Sequence, residues 1–154
     1  MNLSLILIPV DFSDCAAHGV AYAKKLTEKF NAECILIHVI DEAIARQISQ
    51  YCKETLDKTK ERLINQAHQA MRAFIDRNDA KSIVKDTIVS FGTPFQEISI
   101  KARELQVDLI LMGGYGSRGK GQLSEIFFGS TVEKVVRLLP CPVLCVPYGW
   151  GEES

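Results

Sequence analysis

The chain has 154 residues, 47% hydrophobic and 24% charged, with a formal net charge of −1. That balance is ordinary for a globular protein and offers no basic face for nucleic acid or an anionic membrane surface. No apolar run reaches the ~18 residues that would span a bilayer, and one domain is expected, burying about 68–70% of its unfolded surface. Met1 to Pro9 has neither a basic n-region nor a cleavage-site pattern, so no secretory leader is expected and the cytoplasm is the expected compartment. Cys15, Cys34, Cys52, Cys141 and Cys145 form an odd, widely spaced set without a CxxC, which reads as reduced thiols. Cys141 and Cys145 would lie roughly 13 Å apart along a strand, too far to share a metal.

Leu3 to Val10 (LSLILIPV) reads as a first buried strand ending at Asp11. Ser13 or Asp14 can cap a helix from Cys15 to about Phe30, with Ala17, Val20, Ala21 and Leu26 facing inward. Cys34 to Ile40 is a second buried strand. Asp41 to Lys53 carries weaker periodicity and reads as a region that includes an irregular lid. A helix from about Glu54 to Arg77 then places Leu63, Ala67, Ala70, Met71 and Phe74 on one face. Asn78-Asp79 is a turn, and Ser82 to Val89 is a third strand whose Lys85 and Asp86 mark it as an edge. Thr93 caps a helix with Pro94 at its first position, running through Ile98 and Ala102 to Leu105. His38 reads as a packed strand residue rather than a base, and His18 and His68 as surface residues.

Val107 to Met112 is a buried strand interrupted only by Asp108. Gly113, Gly114, Gly116, Gly119 and Gly121 follow, half of the chain's ten glycines within nine residues. Such clustering suits a backbone that approaches a ligand closely. Gly129, Ser130 and Thr131 open an amphipathic helix through Val132, Val135, Val136 and Leu139 that stops at Pro140. Glycines, hydroxyls and a helix N-terminus together suit an anion, because unpaired N–H groups and the helix dipole both favour negative charge. Phe127 and Phe128 read as core or as shelter for that loop. Pro142 to Val146 is the last strand, and residues 148–154 are expected to be a flexible tail.

Strands thus alternate with helices, which predicts a parallel sheet helix-covered on both faces. Ligands in such sheets sit at the carboxyl ends of strands where the order reverses. Asp11, Val39 and Gly113 all fall at carboxyl ends. Two familiar phosphate motifs are excluded. Gly114 to Gly119 fits GxGxxG but lies late in the chain, with Glu133-Lys134 inside a helix where an acidic strand end is required. Gly114 to Lys120 fits GxxxxGK, but Gly121 stands where a P-loop needs a hydroxyl for Mg²⁺.

Gly116-x2-Gly119-x9-Gly129-Ser130 resembles the nucleotide motif of the universal stress protein family. ILIPVDFSD, ILIHVID, the GTP at Gly92 to Pro94 and GSTVEKVVRLLPCPVLCVP resemble that family too, so the likeness covers essentially the whole chain. Counting from Gly113-x2-Gly116 instead leaves twelve residues before Gly129, so the loop carries three extra residues and two registers fit. The resemblance implies one domain over residues 1–147, built on an open five-stranded parallel sheet of order 3-2-1-4-5 similar to the adenine nucleotide alpha hydrolases. It implies ATP as ligand, with Mg²⁺ carried by the phosphates. Pro9, Val10 and Asp11 would lie by the adenosine, with Asp11 accepting from the ribose. Val39 would offer backbone groups to the base, and Met112 and Gly113 would pack beneath the ribose. Gly116, Gly119, Gly129, Ser130 and Thr131 would hold phosphates. Apart from the resemblance, the charges of Arg118 and Lys120 in the extended part of the loop suit either the outer phosphates or solvent. A homodimer through the last strand (Val143, Leu144, Val146) and a switch-like stress or regulatory role are implied as well.

No general base, nucleophile or metal triad assembles, so no catalytic residue is assigned. Slow hydrolysis would need only a water near the phosphates. An ATP pyrophosphatase or adenylating relative would carry an SGGxDS-like loop after the first strand, and VDFSD lacks its glycines. The other rival is a nucleotide-free interaction protein.

Overall fold

The structure is a computed structural model that describes residues 2–114, 130–138 and 140–149. Its elements are β1 (Leu5–Pro9), α1 (Asp14–Phe30), β2 (Glu33–Asp41), α2 (Glu42–Tyr51), α3 (Leu56–Arg77), β3 (Val84–Gly92), α4 (Pro94–Glu104), β4 (Leu109–Gly113), α5 (Ser130–Leu138) and β5 (Val143–Val146). The strands form one parallel sheet in the order β3-β2-β1-β4-β5. β1, β2 and β4 are internal and carry the near-continuous apolar runs that burial on both faces requires. β3 is an edge as expected, with Lys85 and Asp86 exposed, but it continues to Gly92.

Strand alternation divides the core in two. Ile6, Ile8, Val10, Cys34, Leu36 and Leu111 pack with Val20 and Ala23 of α1 and with Met71 and Phe74 of α3. Leu7, Ile35, Ile37, Ile110 and Met112 pack with Ile98 and Ala102 of α4 and with Val132 and Val135 of α5. Asp108, the polar break before β4, is spent on the backbone: its Oδ2 accepts from the Ser4 and Leu5 N–H groups, both at 2.9 Å.

Four local expectations need correction. Residues 42–51 form an ordinary helix rather than a lid, capped by Asp41, whose Oδ1 accepts from Ala43 N–H at 2.9 Å. Its buried face consists of Ala45 and Ser49, too small to register as hydrophobic periodicity, and Glu42 ties it to Lys60 of α3 at 3.1 Å. In α1, Cys15, Ala16, Gly19, Val20, Ala23 and Thr27 are buried, whereas Ala21 is exposed because it lies a quarter-turn off that stripe. His68 is on the surface, but His18 is half-buried with its ring 4.6 Å from that of Tyr148. Thr93 occupies the cap position of α4 but makes no side-chain cap bond, and Pro94 supplies the fixed first turn. Leu139 and residues 150–154 of the expected tail lie outside the described residues.

Candidate functional site

The order reversal falls at β1, which lies between β2 and β4. Pro9 pairs with Ile37, and Leu7 with Ile110, so Met112 stands two residues on, level with Pro9 at the same rim. Val39 lies two residues beyond Ile37 on β2 and pairs with Ser90 of β3. Val10 and Met112 are buried, Pro9, Val39 and Gly113 are half-buried, and Asp11 is exposed at the rim. Residues far apart in sequence therefore meet on one edge because each ends a neighbouring strand.

Gly113 has a reason of its own. A Cβ there would sit 2.5 Å from the Cys15 carbonyl oxygen, inside van der Waals contact, so only glycine lets α1 close over β4. Gly19 makes the same approach from the helix side, where a Cβ would come within 3.2 Å of Leu111. The two bring the start of α1 down beside the rim.

The turn after β1 is specific. Asp11 Oδ1 accepts from Ser13 N–H at 3.1 Å and from the Ser13 hydroxyl, which in turn accepts from Ala16 N–H at 3.2 Å and caps α1. Phe12 between them has φ +65°, a left-handed conformation that costs an aromatic residue about 1–2 kcal/mol. Val10 donates to Ile37 O at 2.8 Å, and its own carbonyl accepts from His38 Nδ1 at 2.8 Å. His38 is thus a packed strand residue as expected, and its bond to Val10 fixes the tautomer with the proton on Nδ1.

Ser90 Oγ, beside Val39, is buried without a hydrogen-bond partner among the described residues. An orphaned hydroxyl of this kind costs about 1–3 kcal/mol. Asp11 and Ser90 thus bring hydrogen-bonding groups to the rim. Ser130 is exposed and Thr131 half-buried in the first turn of α5, whose N-terminus opens on the same carboxyl side and suits a phosphate. Gly116, Arg118, Gly119, Lys120 and Gly129, with Phe127 and Phe128, lie outside the described residues. Thiol chemistry has no foothold at Cys34, where burial pushes the pKa up to about 12, and burial also raises Cys145.

An open parallel sheet that reverses its order at β1, with helices on both faces, is a doubly wound α/β fold. The sequence profile of the universal stress protein family matches residues 4–147, and the chain belongs to that family. Universal stress protein MJ0577 of Methanocaldococcus jannaschii is 33% identical, with 92% of this chain and 93% of that one covered. The solved structure of MJ0577 has a TM-score of 0.77 at 30% identity, covering 96% of this chain and 97% of its own. Universal stress protein YxiE of Bacillus subtilis is 31% identical over 92% of this chain and 97% of its own. A universal stress protein solved in complex with cAMP shares the fold at a TM-score of 0.62 and 19% identity, covering 97% of this chain and all (100%) of its own.

Proposed function

We propose that this protein binds ATP at the carboxyl rim between β1 and β4 and acts as a nucleotide-dependent regulatory switch in the cytoplasm, as a homodimer. The observation that carries the reading is the convergence of Val10–Asp11, Val39 and Met112–Gly113 on one edge, with the start of α5 on the same side. A carboxylate suits the two ribose hydroxyl donors, backbone groups beyond Val39 suit the base edge, and the α5 N-terminus suits phosphate. The adenosine would meet Pro9, Val10, Asp11, Val39, Met112 and Gly113. The phosphates, with any Mg²⁺ they carry, would meet Ser130, Thr131, Gly129 and the loop residues Gly116, Arg118, Gly119 and Lys120. Bound ATP would bridge β1, β2, β4 and α5, and so stabilise the folded state in proportion to its concentration.

For the dimer, β5 supports the reading as an edge strand, one side of which is unpaired among the described residues. Val143 and Leu144 are half-buried there, whereas Val146 is 2% exposed and already spent in its own core. Pairing would therefore use the backbone of β5 and chiefly the side chain of Leu144, which borders a hollow, since Val143 packs with the α4 and α5 cluster.

Titration of ATP into the wild type and Asp11→Ala tests the site. Loss of a charged hydrogen-bond partner should weaken binding by about 1.5–3 kcal/mol with the fold intact by circular dichroism. A folded Asp11→Ala variant with wild-type affinity would reduce Asp11 to a turn residue. No binding by the wild type would leave the chain as a nucleotide-free interaction protein.

A further inference from the structure

We propose that His38 is a positioning residue for the nucleotide: with Phe12 laid on its ring, it fixes the Val10–Ser13 turn so that Asp11 faces the ribose. This rests on the ATP reading above and adds to it a residue to which that reading gives no role.

Val10, the residue before Asp11, is held at both ends of its peptide frame. Its N–H donates to Ile37 O and its carbonyl accepts from His38 Nδ1, both at 2.8 Å. The orientation of that carbonyl sets the plane of the Val10–Asp11 peptide, and so the direction in which Asp11 leaves the strand. The next residue is Phe12, in its left-handed conformation. A turn that served stability alone would place glycine or asparagine there.

Three contacts over-determine Phe12 instead. Its ring lies 4.5 Å from the His38 ring, tilted by 35°, and 5.9 Å from Phe74 in an edge-on arrangement. Its carbonyl accepts from Arg77 Nη2 at 3.4 Å, while that guanidinium covers the Phe74 ring at 5.7 Å. On the solvent side, the Asp11–Ser13 bonds close the turn onto the capped start of α1. Backbone held in a disfavoured conformation by its surroundings is characteristic of binding sites, where it pre-orients a group before the ligand arrives. His38 is the hub, since it touches the turn both through Val10 and through Phe12.

The experiment compares the affinities of ATP and 2′,3′-dideoxy-ATP in the full chain carrying His38→Leu or His38→Asn. An asparagine amide nitrogen stands as many bonds from the backbone as imidazole Nδ1, so His38→Asn keeps the donor to Val10. Wild type should prefer ATP by about tenfold or more, the loss of one charged hydrogen bond. His38→Leu should shrink that preference below about threefold while leaving dideoxy-ATP affinity near wild type. His38→Asn should restore most of it. A purely structural role would lower both affinities together and leave their ratio unchanged. An unchanged ratio in His38→Leu, or His38→Asn no better than His38→Leu, overturns the proposal. Should His38→Leu not fold, Phe12→Leu removes the ring stack and keeps the bulk, and a wild-type ratio there overturns it equally. A wild type that binds both nucleotides alike would instead remove the ribose role of Asp11 itself, which separates the two failures.

Discussion

At the level of single residues, the rim is built by groups whose reasons differ. Gly113 is needed because α1 lies on it, with the Cys15 carbonyl where a Cβ would go. Gly113→Ala should therefore cost about 1–3 kcal/mol in urea denaturation, as overpacking against backbone does, with or without nucleotide. Unchanged stability would show that α1 can slide away. Gly113→Val would disturb this packing whether or not Gly113 meets phosphate, so Gly119→Val separates the two loop registers: lost ATP affinity in a folded variant favours Gly116 and Gly119, and wild-type affinity favours Gly113 and Gly116. Asp11 is exposed, yet it is fixed by bonds to Ser13, so its carboxylate would meet the proposed ribose already oriented. Ser90 is the opposite case, a buried hydroxyl without a partner next to the strand residue expected to read the base.

Elements that bury long apolar side chains were legible from the sequence; α1, which buries mostly small ones, was legible through its cap signal at Ser13, whereas α2 was not. β1, β2, β4 and α3 announce themselves because Ile, Leu, Val, Met and Phe recur at the spacing of their structure. α2 hides behind Ala45 and Ser49, and its stability comes from a cap and from Glu42–Lys60 rather than from a hydrophobic stripe. The site was legible wherever position alone sufficed: Asp11, Val39 and Gly113 could be placed at strand ends by counting. The His38–Val10 bond and the Phe12 conformation could not, since neither a carbonyl acceptor nor a left-handed φ is written in residue type.

The strand faces also sharpen what β5 should do. Val143 packs with the α4 and α5 cluster, whereas Leu144 packs on the α1 side, where it lines a hollow of about 240 Å³ with Tyr22, Cys145, Val146 and Pro147. Leu144→Lys should therefore shift a dimer toward monomer with the fold retained, and Val143→Lys should chiefly lower the melting temperature. Multi-angle light scattering at micromolar concentration checks both. A Leu144→Lys variant that remains dimeric, or a monomeric wild type, would take the interface away from this edge.

Over the whole molecule, the two-sided core is what makes a rim available. Clusters above and below the sheet pack against β1, β2 and β4, and around the order reversal α1, which follows β1, and α5, which precedes β5, lie on opposite faces. Membership of the universal stress protein family agrees with that architecture across residues 4–147. The regulatory reading needs one thing of it, that an adenine nucleotide binds the folded state more strongly than other nucleotides do. Isothermal titration calorimetry of the full chain with ATP and with GTP measures this directly. Saturable binding of about one ATP per chain, with GTP weaker by about tenfold or more, is the result expected of a base read at Val39. Equal affinities, or no heat with either nucleotide, would contradict it.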